Sequence, residues 1–340
     1  MKALLQAWLL AQWQSRGLWA RLLWPLSRVY AWAQTRNARA RSAGREQLPA
    51  VVVVVGNVIA GGAGKTPLTV AVVQHLRQRG LQVGVISRGH GRREDDAQAV
   101  GPGSTASEVG DEPLLIWQRT QVPVWVARQR VQAGRQLLQA HPSVQVLVCD
   151  DGLQHLALAR DIEICVMDER GIGNGWLLPA GPLREPWPRP TDLLVHAPAC
   201  PFAGGHPVVR QLGEEAVDGL GHRRTLHSLQ GQPVHALAGI ARPAVFFDML
   251  RQRGLQLQRT QAFADHAPLD GWQPPADDLP VLCTEKDAVK LWPRWPQVLA
   301  VPLQVSLSPG FFAALDDRVD AALARQASRP AHSRPDPQGL

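Results

Sequence analysis

The sequence predicts an α/β protein: a mostly parallel sheet with helices on both faces, followed by a second, smaller α/β domain. Three observations lead there. The chain has 340 residues, with 45% apolar and 19% charged side chains, enough for two cored domains and too apolar for disorder. Short continuous apolar runs recur at 50–55, 82–87, 122–127, 144–149, 162–167 and 191–196, as strands buried on both faces require. Helical patterns alternate with them at 66–79, 111–120 and 128–140.

The N-terminal segment 1–41 stands apart. It carries Lys2, Arg16, Arg21, Arg28, Arg36, Arg39 and Arg41 and no acid, which equals the net charge of +7 for the whole chain. The remainder is therefore neutral, and nucleic acid is not an expected partner. Five of the twelve tryptophans (Trp8, Trp13, Trp19, Trp24, Trp32) and the single tyrosine, Tyr30, lie here. Its apolar stretches, 3–11 and 17–26, are broken by Gln12, Gln14, Ser15, Arg16 and Arg21 and are too short to span a bilayer. Indoles interleaved with arginines suit a helix lying on an anionic membrane surface.

The first strand runs into Gly56-Asn57 and then Gly61-Gly62-Ala63-Gly64-Lys65-Thr66-Pro67. Glycines admit close backbone approach to phosphate, and a helix N-terminus adds partial positive charge. Asn57, Gly61, Gly62, Ala63, Gly64, Lys65 and Thr66 are thus the candidate nucleotide-binding residues of a P-loop NTPase-like domain, with Thr66 toward Mg²⁺. Ile59 stands where the strict pattern has its first glycine, so the loop is a variant. Of four Asp-Asp pairs, only Asp150-Asp151 ends an apolar strand, where Mg²⁺ is held in such folds. These parts serve switches, motors and kinases alike. A membrane-recruited ATPase or GTPase switch without a lipid acceptor is the alternative.

Other strings bear on the acceptor. Ser87-Arg88-Gly89-His90-Gly91 follows the second strand, where ligand loops lie, and makes Arg88 a candidate for substrate or phosphate. Asp111 in Val109-Gly110-Asp111-Glu112-Pro113 opens a helix, either as a cap or as a base for an alcohol. An irregular Pro- and Gly-rich stretch covers 171–190. The four cysteines form no CxxC pair, and no zinc spacing occurs. The expected organisation is 1–41 membrane-associated helix, 42–206 P-loop kinase domain, 207–230 linker hairpin, 231–327 second α/β domain with C-terminal helix, and 328–340 disordered tail. In the second domain, strands or helices are expected at 234–239, 243–253, 280–284, 302–307 and 311–326.

The ordered set GN…GGAGKTP, SRGHG, VGDEP, DDGLQH, GN…LPAGPLRE, AGIARP, FADH and TEKDAVK, from about Val53 to Leu291, resembles the tetraacyldisaccharide 4′-kinase family of bacteria with an outer membrane. The resemblance implies transfer of the ATP γ-phosphoryl group to the 4′-hydroxyl of a tetraacyldisaccharide 1-phosphate. It also implies Mg²⁺ and a site on the cytoplasmic face of the inner membrane. By motif it implies Lys65 and Thr66 on phosphate and metal, and Asp150, Asp151 and Glu185 as metal-side acids. It implies Asp111 drawing the proton, His266 of FADH tuning it, and Arg184 neutralising phosphate charge. One departure is Ala267, where the family often has a second histidine, so His266 stands alone. TEKDAVK uses Lys286 and Lys290, two of only four lysines, and reads either as a cleft element or as a surface charge run.

Overall fold

Five consecutive valines, Val51–Val55, form a strand that water cannot face on either side. In a computed structural model, which describes residue 8 and residues 11–42, 44–92 and 94–328, they occupy the middle of a sheet. Most of the apolar stretch 3–11 and all but the first residue of the expected disordered tail lie outside the described residues.

The first sheet contains β1 (Val51–Gly56), β2 (Val83–Ser87), β3 (Gln98–Val100), β4 (Val124–Val126), β5 (Val146–Asp150), β6 (Ile162–Met167), β7 (Leu193–His196) and β8 (His206–Leu212). From β8 to β4 the pairing is parallel, with β1 between β6 and β5, and the edge strand β3 runs antiparallel to β4. Successive side chains of a strand point to opposite faces. Val51, Val53 and Val55 accordingly join one core and Val52 and Val54 another. Each buried valine contributes roughly 1.5–3 kcal/mol.

Helices cover both faces. After α1 (Leu18–Ser42) come α2 (Lys65–Gln78), α3 (Ala106–Val109), α4 (Asp111–Thr120) and α5 (Arg130–Ala140). Leu68, Val72 and Leu76 of α2 and Ile116 of α4 fill the first core, whereas Ala133 and Leu137 of α5 fill the second. α1 lies against the irregular stretch: Ser27 Oγ donates to the Leu177 carbonyl at 2.8 Å and Tyr30 Oη to the Arg184 carbonyl at 2.9 Å.

The second sheet holds β9 (Glu215–Val217), β10 (Arg223–Thr225), β11 (Pro233–Ala238), β12 (Gln256–Ala262), β13 (Val281–Thr284) and β14 (Leu299–Val301), in the order β10-β9-β14-β13-β11-β12. α6 (Pro243–Gln252) buries Phe246, Phe247 and Leu250 on one face. α7 (Glu285–Leu291) buries Ala288 and Leu291 on the other.

The chain then returns. β15 (Leu303–Leu307) pairs antiparallel with β8, and α8 (Pro309–Ala327) places Phe311, Leu315 and Val319 in the first sheet's core. Sequence order groups these two elements with the second domain; the structure gives them to the first sheet. Nothing in an apolar strand or helix states which sheet it completes, and here the open edge at β8 is what it meets. The stretch expected as one linker hairpin divides likewise: β8 completes the first sheet, while β9 and β10 form the hairpin in the second. The two crossings between sheets touch, with Gly213 N–H donating to the Pro302 carbonyl at 2.8 Å.

Candidate active site

Where β1 ends, the chain must turn sharply into α2, and Gly64 makes the turn at φ 73° as the residue before the helix. A Cβ there would lie 2.7 Å from Arg210 Nε and displace that guanidinium, and the left-handed φ itself favours glycine. The bend is braced from outside. Arg170 donates to the Ala60 and Gly62 carbonyls at 3.0 and 3.1 Å, and Arg210 to that of Ala63 at 2.8 Å. These guanidiniums occupy oxygens that would repel an anion, and each is itself balanced by an acid, Arg170 by Asp168 at 2.7 Å and Arg210 by Glu169 at 3.3 Å. Sequence reading missed both, since an isolated arginine among many carries no pattern. Asn57, fully buried, turns its amide to the Ile59 carbonyl at 2.8 Å and so shapes the bend from within.

Lys65 and Thr66 are both buried at the start of α2, with Lys65 Nζ 3.6 Å from Asp151 Oδ1. Asp151, at φ 47°, takes a left-handed conformation that side chains rarely adopt, a cost tolerated where a group must be aimed. Arg184 Nη1 reaches the same carboxylate oxygen at 3.1 Å, and Arg130 donates to the Asp151 carbonyl at 2.8 Å. Burial raises the Asp151 pKa, but Lys65, Arg184 and Arg130 outweigh it and hold the carboxyl below its ordinary value.

Asp150, 1% exposed, accepts from Thr69 Oγ1 at 2.7 Å through one oxygen, and its other oxygen has no partner among the described residues. Burial first, then the charges of Glu112 and Asp151, push it up to about 7 against the Thr69 bond. An orphaned carboxylate oxygen next to a second carboxylate and a hydroxyl is a site that a hard dication fits. No group of three or more His, Cys, Asp or Glu side chains among the described residues is arranged to hold a metal alone. That suits Mg²⁺, which takes one or two carboxylates and completes its shell with water and substrate phosphate. Glu185 is engaged elsewhere, accepting from Gln154 Nε2 at 2.7 Å and pairing with Arg189 at 3.3 Å. Gln154 in turn links it to Arg184 at 3.2 Å.

The second half supplies the opposite wall. His266 sits at φ 59°, and its Nδ1 meets Asp111 Oδ1 and Oδ2 at 3.0 and 3.2 Å. Asp111 is 4% exposed and also accepts from the Glu112 N–H at 3.0 Å; it is the first residue of α4, with Gly110 at the cap position, so it does not cap the helix. Burial is the strongest influence and raises Asp111. The His266 hydrogen bond with the charges of Lys286, His266 and Lys290 overrides it, bringing the carboxyl to about 2. His90, from SRGHG, places its ring 4.7 Å from that of His266 and is kept below its ordinary pKa by burial and by His266.

TEKDAVK is a cleft element and not a surface run. Lys286 Nζ contacts Glu112 at 3.1 Å, Asp265 at 2.9 Å and His266 Nε2 at 3.1 Å, while Lys290 lies 3.0 Å from the fully buried Asp287 and 3.7 Å from Asp111.

An open cleft of about 1970 Å³ runs between the sheets, bordered by Lys65, Arg88, Asp151, Arg184, His266 and Lys286 among others. Single small-molecule pockets hold roughly 300–1,000 Å³, so this cleft has room for two substrates together.

A family described as tetraacyldisaccharide-1-P 4′-kinase matches residues 19–320. The tetraacyldisaccharide 4′-kinase of Acidovorax ebreus (strain TPSY) is 56% identical over 317 residues, covering 90% of this chain and 93% of its own. That of Polaromonas naphthalenivorans (strain CJ2) is 50% identical over 336 residues, covering 95% and 98%. A crystal structure of the "apo" form of LpxK from Aquifex aeolicus in complex with ATP matches with a TM-score of 0.78 and 26% identity, covering 89% of this chain and 99% of that one.

Proposed function

The chain belongs to the tetraacyldisaccharide-1-P 4′-kinase family, and on that premise we propose how its side chains divide the reaction between them. The protein is an ATP-dependent kinase that phosphorylates the 4′-hydroxyl of a tetraacyldisaccharide 1-phosphate in lipid A biosynthesis. The observation that carries the division of roles is one cleft bordered on one side by Lys65 and Asp151 and on the other by His266.

Gly61, Gly62, Ala63 and Gly64 cradle the triphosphate through the backbone, Asn57 fixes the bend, and Lys65 neutralises the β- and γ-phosphates. Thr66, Asp150 and Asp151 would hold Mg²⁺, which would supply charge neutralisation on the transferred group, and Glu185 braces this set through Gln154 and Arg184. Arg184, now paired with Asp151, is placed to turn toward phosphate, and Arg88 at the cleft edge faces the acceptor. Asp111 takes the proton of the 4′-hydroxyl. A carboxylate held near 2 is a weak base, so transfer comes late, once bond formation to phosphorus has acidified the hydroxyl. His266 orients Asp111 through Nδ1. Closure of the cleft on both substrates would exclude water.

α1 carries the acceptor's environment. Leu18, Leu22 and Trp32 are 81%, 69% and 64% exposed, and the guanidiniums of Arg28 and Arg36 lie 5.7 Å from the Trp24 and Trp32 rings. Among the described residues no helix is long and apolar enough to cross a membrane. Such a face is stable in headgroups and not in water, which supports attachment to an anionic bilayer surface, the cytoplasmic face of the inner membrane. Incubation with ATP, Mg²⁺ and the acylated disaccharide should add one phosphate by mass; nucleotide hydrolysis without a phosphorylated disaccharide would favour the switch reading.

A further inference from the structure

The role of the TEKDAVK helix follows from counting donors. The Lys286 ammonium has three N–H groups and no acceptor, and three atoms lie within hydrogen-bond reach: Glu112 Oε1, Asp265 Oδ1 and His266 Nε2, at 3.1, 2.9 and 3.1 Å. The two carboxylates accept in any state. Nε2 accepts only with its lone pair free, because a protonated Nε2 would set one donor against another. The remaining imidazole proton then resides on Nδ1, the nitrogen that meets Asp111.

We propose that Lys286 is a positioning residue for phosphoryl transfer, fixing His266 as the neutral Nδ1–H tautomer that donates to Asp111. This rests on the reading of Asp111 as the proton acceptor. A neutral donor leaves Asp111 more basic than an imidazolium at the same 3.0 Å would, and it cannot be converted to one without expelling the Lys286 ammonium from Nε2. The positive charge that the reaction tolerates is thus kept one ring away from the base and balanced by Glu112 and Asp265.

The surrounding charges oppose one another. Burial and Lys286 disfavour the imidazolium, while the bond to Asp111 and the charges of Asp111 and Asp265 favour it, and their balance sits above the ordinary histidine value. The Nε2 contact decides the matter: Lys286 Nζ lies 3.1 Å from it, whereas Asp265 Oδ1, the acceptor a second ring proton would need, is 3.8 Å away and beyond hydrogen-bond distance. Lys286 keeps its own proton: burial pulls it down, and Glu112, Asp111 and Asp265 more than offset this. His90 is the remaining titratable group facing the ring, and its pKa is lowered, which makes it a neutral neighbour at neutral pH.

Removing Lys286 should raise the pKa of His266 and let protons invade Nε2 at higher pH. In Lys286→Met the acid limb of kcat should move upward by roughly one pH unit, a tenfold loss on that limb, with the KM for ATP within about twofold of the parent. Lys286→Arg keeps a cationic donor and should restore the limb. ¹⁵N spectra of histidine-labelled full-length protein at neutral pH should show His266 protonated at Nδ1 alone, and in Lys286→Met protonated at both nitrogens. An unmoved acid limb in folded Lys286→Met, or an Nε2–H signal in the parent, overturns the assignment. The spectra need no turnover, so a failed kinase assay with an Nδ1–H signal would count against the reaction reading and not against the tautomer.

Discussion

The Asp111 carboxylate and the His266 imidazole meet at 3.0 Å although 155 positions separate them in the chain. Asp111 begins a helix packed on the first sheet, and His266 lies in a loop of the second. The pair exists only while the two sheets face each other, so the proposed base is assembled by tertiary structure.

Asp111→Asn removes the acceptor and keeps the shape. General acid–base groups contribute about 10²–10⁴-fold, so kcat should fall by at least a hundredfold while ATP affinity stays within threefold. Steady-state transfer and equilibrium nucleotide binding together check this; a loss under tenfold would remove Asp111 from the chemistry.

Lys65→Met should behave differently, losing both nucleotide affinity and transfer. The ammonium lies 3.6 Å from Asp151, so its removal also leaves that carboxylate to Arg184. Calorimetric titration with ATP and Mg²⁺ separates the two cases: normal affinity in Lys65→Met would disconnect the glycine bend from the triphosphate.

Stability should carry the signature of Asp111. Its folded pKa, about 2, lies below the ordinary 3.8. A depressed acid stabilises the fold at pH above its unfolded value and loses that contribution as pH falls through the folded one. The unfolding free-energy gap between the parent and Asp111→Asn should therefore narrow by roughly 2 kcal/mol between pH 5 and pH 2. Denaturant melts across that range give the slope; a constant gap would contradict the lowered acidity of buried Asp111.

Asp287 is fully buried, accepts from the Gly239 N–H at 2.8 Å and Thr284 Oγ1 at 2.6 Å, and pairs with Lys290 at 3.0 Å. Asp287→Ala would strand two donors and leave the Lys290 ammonium to the Ala267 carbonyl and Asp111, and should cost about 3–5 kcal/mol. Urea unfolding measures it, and a loss below 1 kcal/mol would mean that water fills the gap.

Replacing Arg16, Arg21 and Arg28 with Glu should weaken binding to anionic vesicles, most at low salt, where screening is least. Leu22→Ser with Trp32→Ser should weaken it at every ionic strength. Vesicle sedimentation reads both, and unchanged partition of all variants would end the surface-docking proposal.

Much of this was legible in the chain. The valine run, the glycine bend and the CDD strand end announce themselves because burial and phosphate binding each demand a local pattern. β12 was invisible: Gln256-Leu257-Gln258-Arg259-Thr260-Gln261-Ala262 is an exposed edge strand without an apolar run. Arg170 and Arg210 were equally silent, since their importance is wholly in which carbonyls they reach. TEKDAVK lay between the two: its lysines stood out by rarity, but only the fold shows that Lys286 meets an imidazole nitrogen.

The return of the chain has a last implication. Residues 214–301 are an insertion within the nucleotide-side body, whose closing pieces, β15 and α8, come after it. Its entrance and exit are stitched together at Gly213 and Pro302, so the inserted body is held by a doubled stem and not by a lone tether. Truncation from the C-terminus would thus first erode the half that carries the glycine bend, by withdrawing Phe311, Leu315 and Val319 from beneath its valines, and leave the half that carries His266 for last.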